Sequence, residues 1–407
     1  MRQSMKLINE SDVWGARIVN PLPVVLEEGE GVWVTDIEGN KYLDMLSAFS
    51  VLNQGHRHPR IIQALVAQAQ KLTITSRSFR NDQTGIFFRK ICEMTGFEKV
   101  LPMNTGAEAV ETAIKAVRKW ALTVKGIPEN QAEIIVCANN FAGRTITLIS
   151  FSTVQQYRHG FGPFTPGFSI VPFGDASSLE EAITPNTAAV LLEPIQGEGG
   201  IIIPPDGYLT QIRNITKKHQ ILMVLDEIQT GFGRTGKLFA YQYEEIKPDV
   251  LIVGKALGGG VYPVSAVLAD DAVMSVFAPG DHGSTFAGNP LAAAVAVAAM
   301  EVVEEENLPE RAAEMGDYFL QGLLEINSPY IREIRGKGLF IGIEIRPECG
   351  YARFFCEKLL HLGVLCKDTH QQVIRFAPPL IITREELDWA LERIRQVLTE
   401  PLYNDAQ

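Results

Sequence analysis

The most constraining feature of this chain is a series of short, uninterrupted apolar runs in its middle: EIIVCA (133–138), FSIVPF (168–173), AAVLLEP (188–194), QILMVLDE (220–227) and DVLIVGK (249–255), separated by stretches of helical spacing. The runs do not alternate polar with apolar residues, so a strand built from any of them has no face suited to water. Such strands are stable between two layers of helix, and helical crossovers make the sheet parallel. The pattern predicts an α/β fold with a mostly parallel sheet covered on both sides. The last third reads differently. IRGKGLFIGIEI (334–345) alternates like a strand, a helix is expected near 350–362, and Val373–Phe376 reads as a further strand. The closing helix opens with Thr383 and Glu386 in capping-box spacing, and Leu387, Ala390, Leu391, Ile394, Val397 and Leu398 fall on one face. A smaller α+β domain is therefore expected at the C-terminal end.

The chain has 407 residues, enough for about two or three domains. Its 37 basic and 48 acidic side chains leave a net charge of −11, with no basic block to neutralise a phosphate backbone, so nucleic acid is not an expected partner. Five cysteines without CxxC or zinc spacing read as reduced core thiols of a cytoplasmic protein. MRQSMKLINESDVW meets charge before an apolar signal region can form, so no secretory leader is expected. The longest apolar run, Pro290–Met300, is too short to span a bilayer and reads as a buried helix with Asn289 as N-cap and Pro290 at its first position. His56 and His58 flank Arg57 in a turn-like stretch with no third ligand in spacing, and no metal site is expected.

Three of the apolar runs end in Glu193, Asp226 and Lys255. Ligands of open α/β sheets bind at the carboxyl ends of the strands, so the three side chains are expected to converge. Glu193 alone reads more simply as a local strand cap. Lys255 is followed by Ala-Leu-Gly-Gly-Gly, which leaves room for something to approach, and a desolvated lysine becomes a nucleophilic amine. A Schiff-base lysine paired with a carboxylate for a cationic ring nitrogen, here Asp226, is what pyridoxal phosphate requires. In LPMNTGAEAVETAIKAVRKW (101–120) the amides of Gly106 and Ala107 at a helix start suit an anion, although an ordinary N-cap by Asn104 or Thr105 fits the same residues. Neither GxxxxGK[ST] nor a GxGxxG in strand–helix context occurs.

LDEIQTGFGRTGK (225–237), followed by VGKALGGG, resembles the signature of class III (subgroup II) pyridoxal-phosphate aminotransferases. NPLPVVLEEGEG (20–31), VLNQGHRHP (51–59), NNFAGRT (139–145), EPIQGEGG (193–200), HGSTFAGNPL (282–291) and VIRFAPPL (373–380) are similar to the ornithine-aminotransferase branch of that family. The resemblance implies fold type I, with a seven-stranded-type sheet in a large cofactor domain (51–290) and a small domain built from residues 1–50 and 291–407. It implies a homodimer with shared active sites. It makes Lys255 the Schiff-base lysine and proton shuttle, Asp226 the partner of the pyridine nitrogen, Gln229 a contact of the ring hydroxyl and Phe141 the stacking ring. Gly106 and Ala107 would take the phosphate, together with Thr285 of a neighbouring subunit. Arg144 and Arg375 would clamp substrate carboxylates, with Glu198 masking Arg375 for one substrate and releasing it for the other.

The activity so implied is transfer of the δ-amine of ornithine to 2-oxoglutarate, giving glutamate semialdehyde, which cyclises to pyrroline carboxylate, and glutamate. Val19 and Phe49 stand where animal relatives carry tyrosines, and Ala142 replaces a larger residue. Each change makes the substrate pocket more apolar or roomier. Another terminal amine, such as 4-aminobutyrate, N-acetylornithine or lysine, is the nearest alternative donor. Amino-acid epimerisation on the same cofactor is a third reading, and a non-enzymatic binding role a fourth.

Overall fold

The computed structural model describes residues 3–401. A central seven-stranded sheet runs in the order Lys99–Met103, Ser265–Ala269, Val250–Val253, Leu222–Asp226, Thr187–Leu192, Glu133–Cys137, Phe168–Val171. The last five are mutually parallel, and they are the five continuous runs read from the sequence. Ser265–Ala269 lies antiparallel to both of its neighbours. That strand and Lys99–Met103 were not anticipated, because one carries Pro102 and the other is a short small-residue segment.

Both faces of the sheet are covered. Helix Gly106–Trp120 packs on one face and helix Tyr208–His219 meets the Leu222–Asp226 strand. Two apolar clusters result, one containing Val110, Ile114 and Val224 and the other Leu209, Ile212 and Met223.

The IRGKGLFIGIEI stretch is not one strand. It folds as a hairpin, Ile331–Lys337 against Phe340–Ile345, because Gly338 takes φ +55° and reverses the chain in a two-residue turn. Val373–Phe376 pairs with Phe340–Ile345, which puts Arg375 opposite Gly342. A second small sheet joins the chain ends: Leu26–Glu30, Trp33–Asp36 and Lys41–Asp44 run antiparallel, and Val364–Leu365 adds in parallel beside Leu43 and Asp44. The expected helices at 352–361 and 384–399 are present, the latter with the full Thr383–Glu386 capping box.

Helix Pro290–Glu305 is N-capped by Asn289, which accepts from the Ala292 amide at 2.8 Å. It packs on helices Pro59–Lys71 and Thr84–Thr95 and on the Lys255–Gly258 turn. No described helix is long and apolar enough to cross a membrane, and all five cysteines are free thiols. His56 and His58 are engaged separately, by Asp44 at 2.8 Å and Glu306 at 2.9 Å.

Candidate active site

Adjacent parallel strands deliver the chemistry. Glu193 follows Thr187–Leu192, Asp226 ends Leu222–Asp226, and Lys255 opens the turn just after Val250–Val253. All three line one cavity of ≈ 220 Å³, together with Gly106, Ala107, Phe141, Glu198 and Gln229. Lys255 itself has φ +46°, a left-handed conformation that the surrounding structure must hold in place.

Low polarity sets the protonation of this cluster. Burial lowers the Lys255 amine from its usual range, opposed by the charges of Glu198 and Asp226. Burial lifts the Asp226 carboxyl to about 6, although the Ile228 amide donates to it at 3.0 Å. Glu193 is pushed to about 8 by burial and by the charge of Asp226. It is more than a local cap: its carboxylate accepts from the amides of Phe141 (3.1 Å) and Gly197 (3.3 Å), tying together two loops that line the cavity.

Glu198 accepts a hydrogen bond from Arg375 Nη1 at 2.5 Å. Burial alone would raise its carboxyl, but the charge and hydrogen bond of Arg375 outweigh that and hold it below the usual range. Gln229 Nε2 lies 3.5 Å from Glu198 Oε1 and donates to the Phe49 carbonyl at 3.3 Å. A Cβ on Gly197 would stand 1.5 Å from Gln229 Oε1, so a side chain there would push Gln229 from its place. The Phe49 ring lies 4.6 Å from the Arg375 guanidinium carbon. Arg144 is exposed and stacks on Tyr157 at 3.5 Å, with Phe141 beside it at 5.6 Å.

Helix Gly106–Trp120 begins at the cavity wall. Thr105 caps the Glu108 amide and Glu108 returns the bond, so the capping box does not use the first-turn amides of Gly106 and Ala107. Two further residues do not line the cavity of their own chain, as the resemblance implies for Thr285 but not for Val19. Val19 is 76% exposed and does not line the cavity, and Thr285 is exposed on the 285–288 turn, outside the cavity of its own chain. Tyr157, which orients Arg144, and Thr369, whose hydroxyl donates to the Glu198 carbonyl at 2.6 Å, were not singled out from sequence. Neither sits in a motif with its own chemical logic.

These groups fit pyridoxal phosphate on structural grounds. A desolvated amine faces a buried carboxylate that burial leaves short of compensating charge, and a helix N-terminus with uncommitted amides opens on the same cavity.

The class-III aminotransferase family model matches residues 14–398. The ornithine aminotransferase of Brevibacillus brevis is 62% identical, over 98% of this chain and 99% of its own. Among solved structures, ornithine aminotransferase from Toxoplasma gondii superposes with a TM-score of 0.96 at 45% identity, covering 98% of this chain and 95% of that one. Acetylornithine aminotransferase from Elizabethkingia anophelis superposes at 0.89 with 47% identity, covering 98% and 99%. The strand-end lysine, its buried carboxylate and the full-length match agree, and the chain belongs to the class-III aminotransferase family.

Proposed function

We propose that this enzyme moves the terminal δ-amino group of L-ornithine to 2-oxoglutarate with pyridoxal 5′-phosphate as resident cofactor, producing glutamate 5-semialdehyde, which cyclises to pyrroline-5-carboxylate, and glutamate. The observation that carries the proposal is the Glu198–Arg375 pair on the cavity of Lys255. One pocket must accept an amine remote from any carboxylate and then a diacid whose reacting carbon adjoins one. With Arg375 neutralised by Glu198, the cavity suits the first; a diacid that displaces Glu198 finds a guanidinium ready for bidentate contact. Arg144 forms no ion pair among the described residues and is available to the distal carboxylate.

The cofactor, when bound, supplies an electron sink that lets an amine leave one carbon skeleton and enter another. Lys255 Nζ, whose hold on its proton is weakened by burial, would serve as the nucleophile toward the cofactor and then carry a proton to and from the reacting carbon. Asp226 would hold a proton on the pyridine nitrogen, Gln229 would contact the ring hydroxyl, Phe141 would cover the ring, and Gly106 and Ala107 would take the phosphate at the helix N-terminus.

The protein is further read as a cytoplasmic homodimer. Free thiols suit a reducing compartment. Phe79 and Phe286 are 70% and 50% exposed, and a second copy that covered them would carry Thr285 toward the partner's phosphate site.

The test is a half-reaction without acceptor, adding ornithine, N-acetylornithine, lysine or 4-aminobutyrate separately to the cofactor-loaded enzyme. Ornithine should bleach the cofactor band and release pyrroline-5-carboxylate. If N-acetylornithine reacts and ornithine does not, the second reading takes its place. That reading is favoured by the likeness to an acetylornithine aminotransferase and by Phe49, which offers no hydroxyl to an α-amino acid head group.

A further inference from the structure

Residues Ser47, Ala48, Phe49 and Ser50 have φ of +46°, +47°, +64° and +70°, four consecutive non-glycine residues in the left-handed region. L-residues with side chains resist this conformation, and a run of four persists only where surrounding groups over-determine it. The restraints here are specific. Asp44 Oδ1 accepts from the amides of Leu46 (2.9 Å) and Ser47 (2.8 Å). The Ser47 hydroxyl donates to the Ala377 carbonyl at 2.6 Å and accepts from Arg234 Nη2 at 3.2 Å.

Arg234 is wholly buried and reaches both sides of the turn's seat. Its guanidinium donates to Asn53 Oδ1 (2.6 Å) on one side and to the carbonyls of Pro378 (2.6 Å) and Leu339 (2.9 Å) on the other. Ala377 lies two residues beyond Arg375, and its amide donates back to the Met45 carbonyl at 2.7 Å. The turn and the end of the Arg375 strand are thus fixed to each other, with Arg234 bridging them.

Arg375 needs such a support. It is 1% exposed and, among the described residues, its Nε has no partner and its one ion pair is with Glu198. When a diacid displaces Glu198, the Phe49 ring remains beside the guanidinium as a cation–π contact. We propose that Arg234 and Ser47 are positioning residues for diacid recognition: through the left-handed turn they seat the Phe49 ring against Arg375 and keep its guanidinium aimed once Glu198 has left. This rests on the assignment of Arg375 as a carboxylate clamp.

The experiment measures binding of glutarate, an unreactive five-carbon diacid, and of pentanoate, the matching monoacid, to the cofactor-loaded enzyme by calorimetry. Ser47→Ala should weaken glutarate about tenfold, and Arg234→Lys more, with pentanoate shifting less than about twofold. Equal shifts for both acids would mean a general structural role and overturn the inference, as would unchanged glutarate affinity in Ser47→Ala, which keeps the inference testable if Arg234→Lys fails to fold. If Arg375→Ala binds glutarate as the wild type does, the clamp assignment itself fails, a result distinct from the other two.

Discussion

Glu198 and Arg375, 177 residues apart in the chain, meet at 2.5 Å with unequal burial: the arginine side chain is 1% exposed and the carboxylate 27%. The better-solvated partner is the one that can leave, because it already reaches water, whereas the arginine is enclosed on all sides. In the proposed reaction the glutamate is therefore the partner that would move and the arginine the one that would stay.

Glu198→Gln keeps the shape and removes the charge. Ornithine turnover should fall about 10- to 100-fold while the reaction of glutamate with the cofactor-loaded enzyme persists, since Arg375 is then unmasked for both substrates. Stopped-flow half-reactions with each donor separate the two effects. An equal loss for both would show that Glu198 does not discriminate between them.

Lys255→Ala removes the only amine among the described residues that lines the cavity. Turnover should drop at least about 10⁴-fold, whereas pyridoxal phosphate should still bind through Asp226 and the first turn of helix Gly106–Trp120. Equilibrium dialysis paired with steady-state assay would check this, and substantial residual turnover would remove Lys255 from its role.

Burial lifts Asp226 from 3.8 to about 6, so between those values the folded apoprotein holds a proton that the unfolded chain has released. That contribution is present at low pH and is lost as pH rises toward 6. Urea unfolding of the apoprotein should show wild type losing up to about 3 kcal/mol relative to Asp226→Asn between pH 4 and 6. Parallel curves for the two proteins would mean that Asp226 titrates normally.

Phe49→Tyr adds a hydroxyl beside Arg375 and Gln229. The ratio of ornithine to N-acetylornithine reactivity should rise about tenfold if that hydroxyl finds the α-amino acid head group. An unchanged ratio in competition assays would show that other residues set donor preference.

Thr285 lies outside the cavity of its own chain, so the proposed dimer makes a complementation prediction. Mixing Lys255→Ala with Thr285→Ala subunits, each impaired alone, should create hybrids with one intact site and restore about a quarter of wild-type activity. No recovery after confirmed subunit exchange would place Thr285 elsewhere.

The five parallel strands, the capped helices at 106, 290 and 384, and the lysine and carboxylates at the strand ends were legible in the sequence because each depends on local pattern: burial on both faces, capping chemistry, and the rule that ligands meet strand ends. What escaped depended on distance and backbone geometry. Nothing in LSAFS announces a left-handed turn, since no glycine marks it and contacts from Asp44, Arg234 and Ala377 hold it. The hairpin in 331–345 was hidden by strand alternation on both sides of Gly338. Val19 was placed in the pocket by motif alignment, yet in the folded chain it lies 76% exposed away from the cavity. The sequence by itself determined that a lysine and two carboxylates end neighbouring buried strands; the tertiary structure alone decided that Glu198 pairs with Arg375 and that Phe49 lies against it, because those contacts join segments that no local propensity brings together.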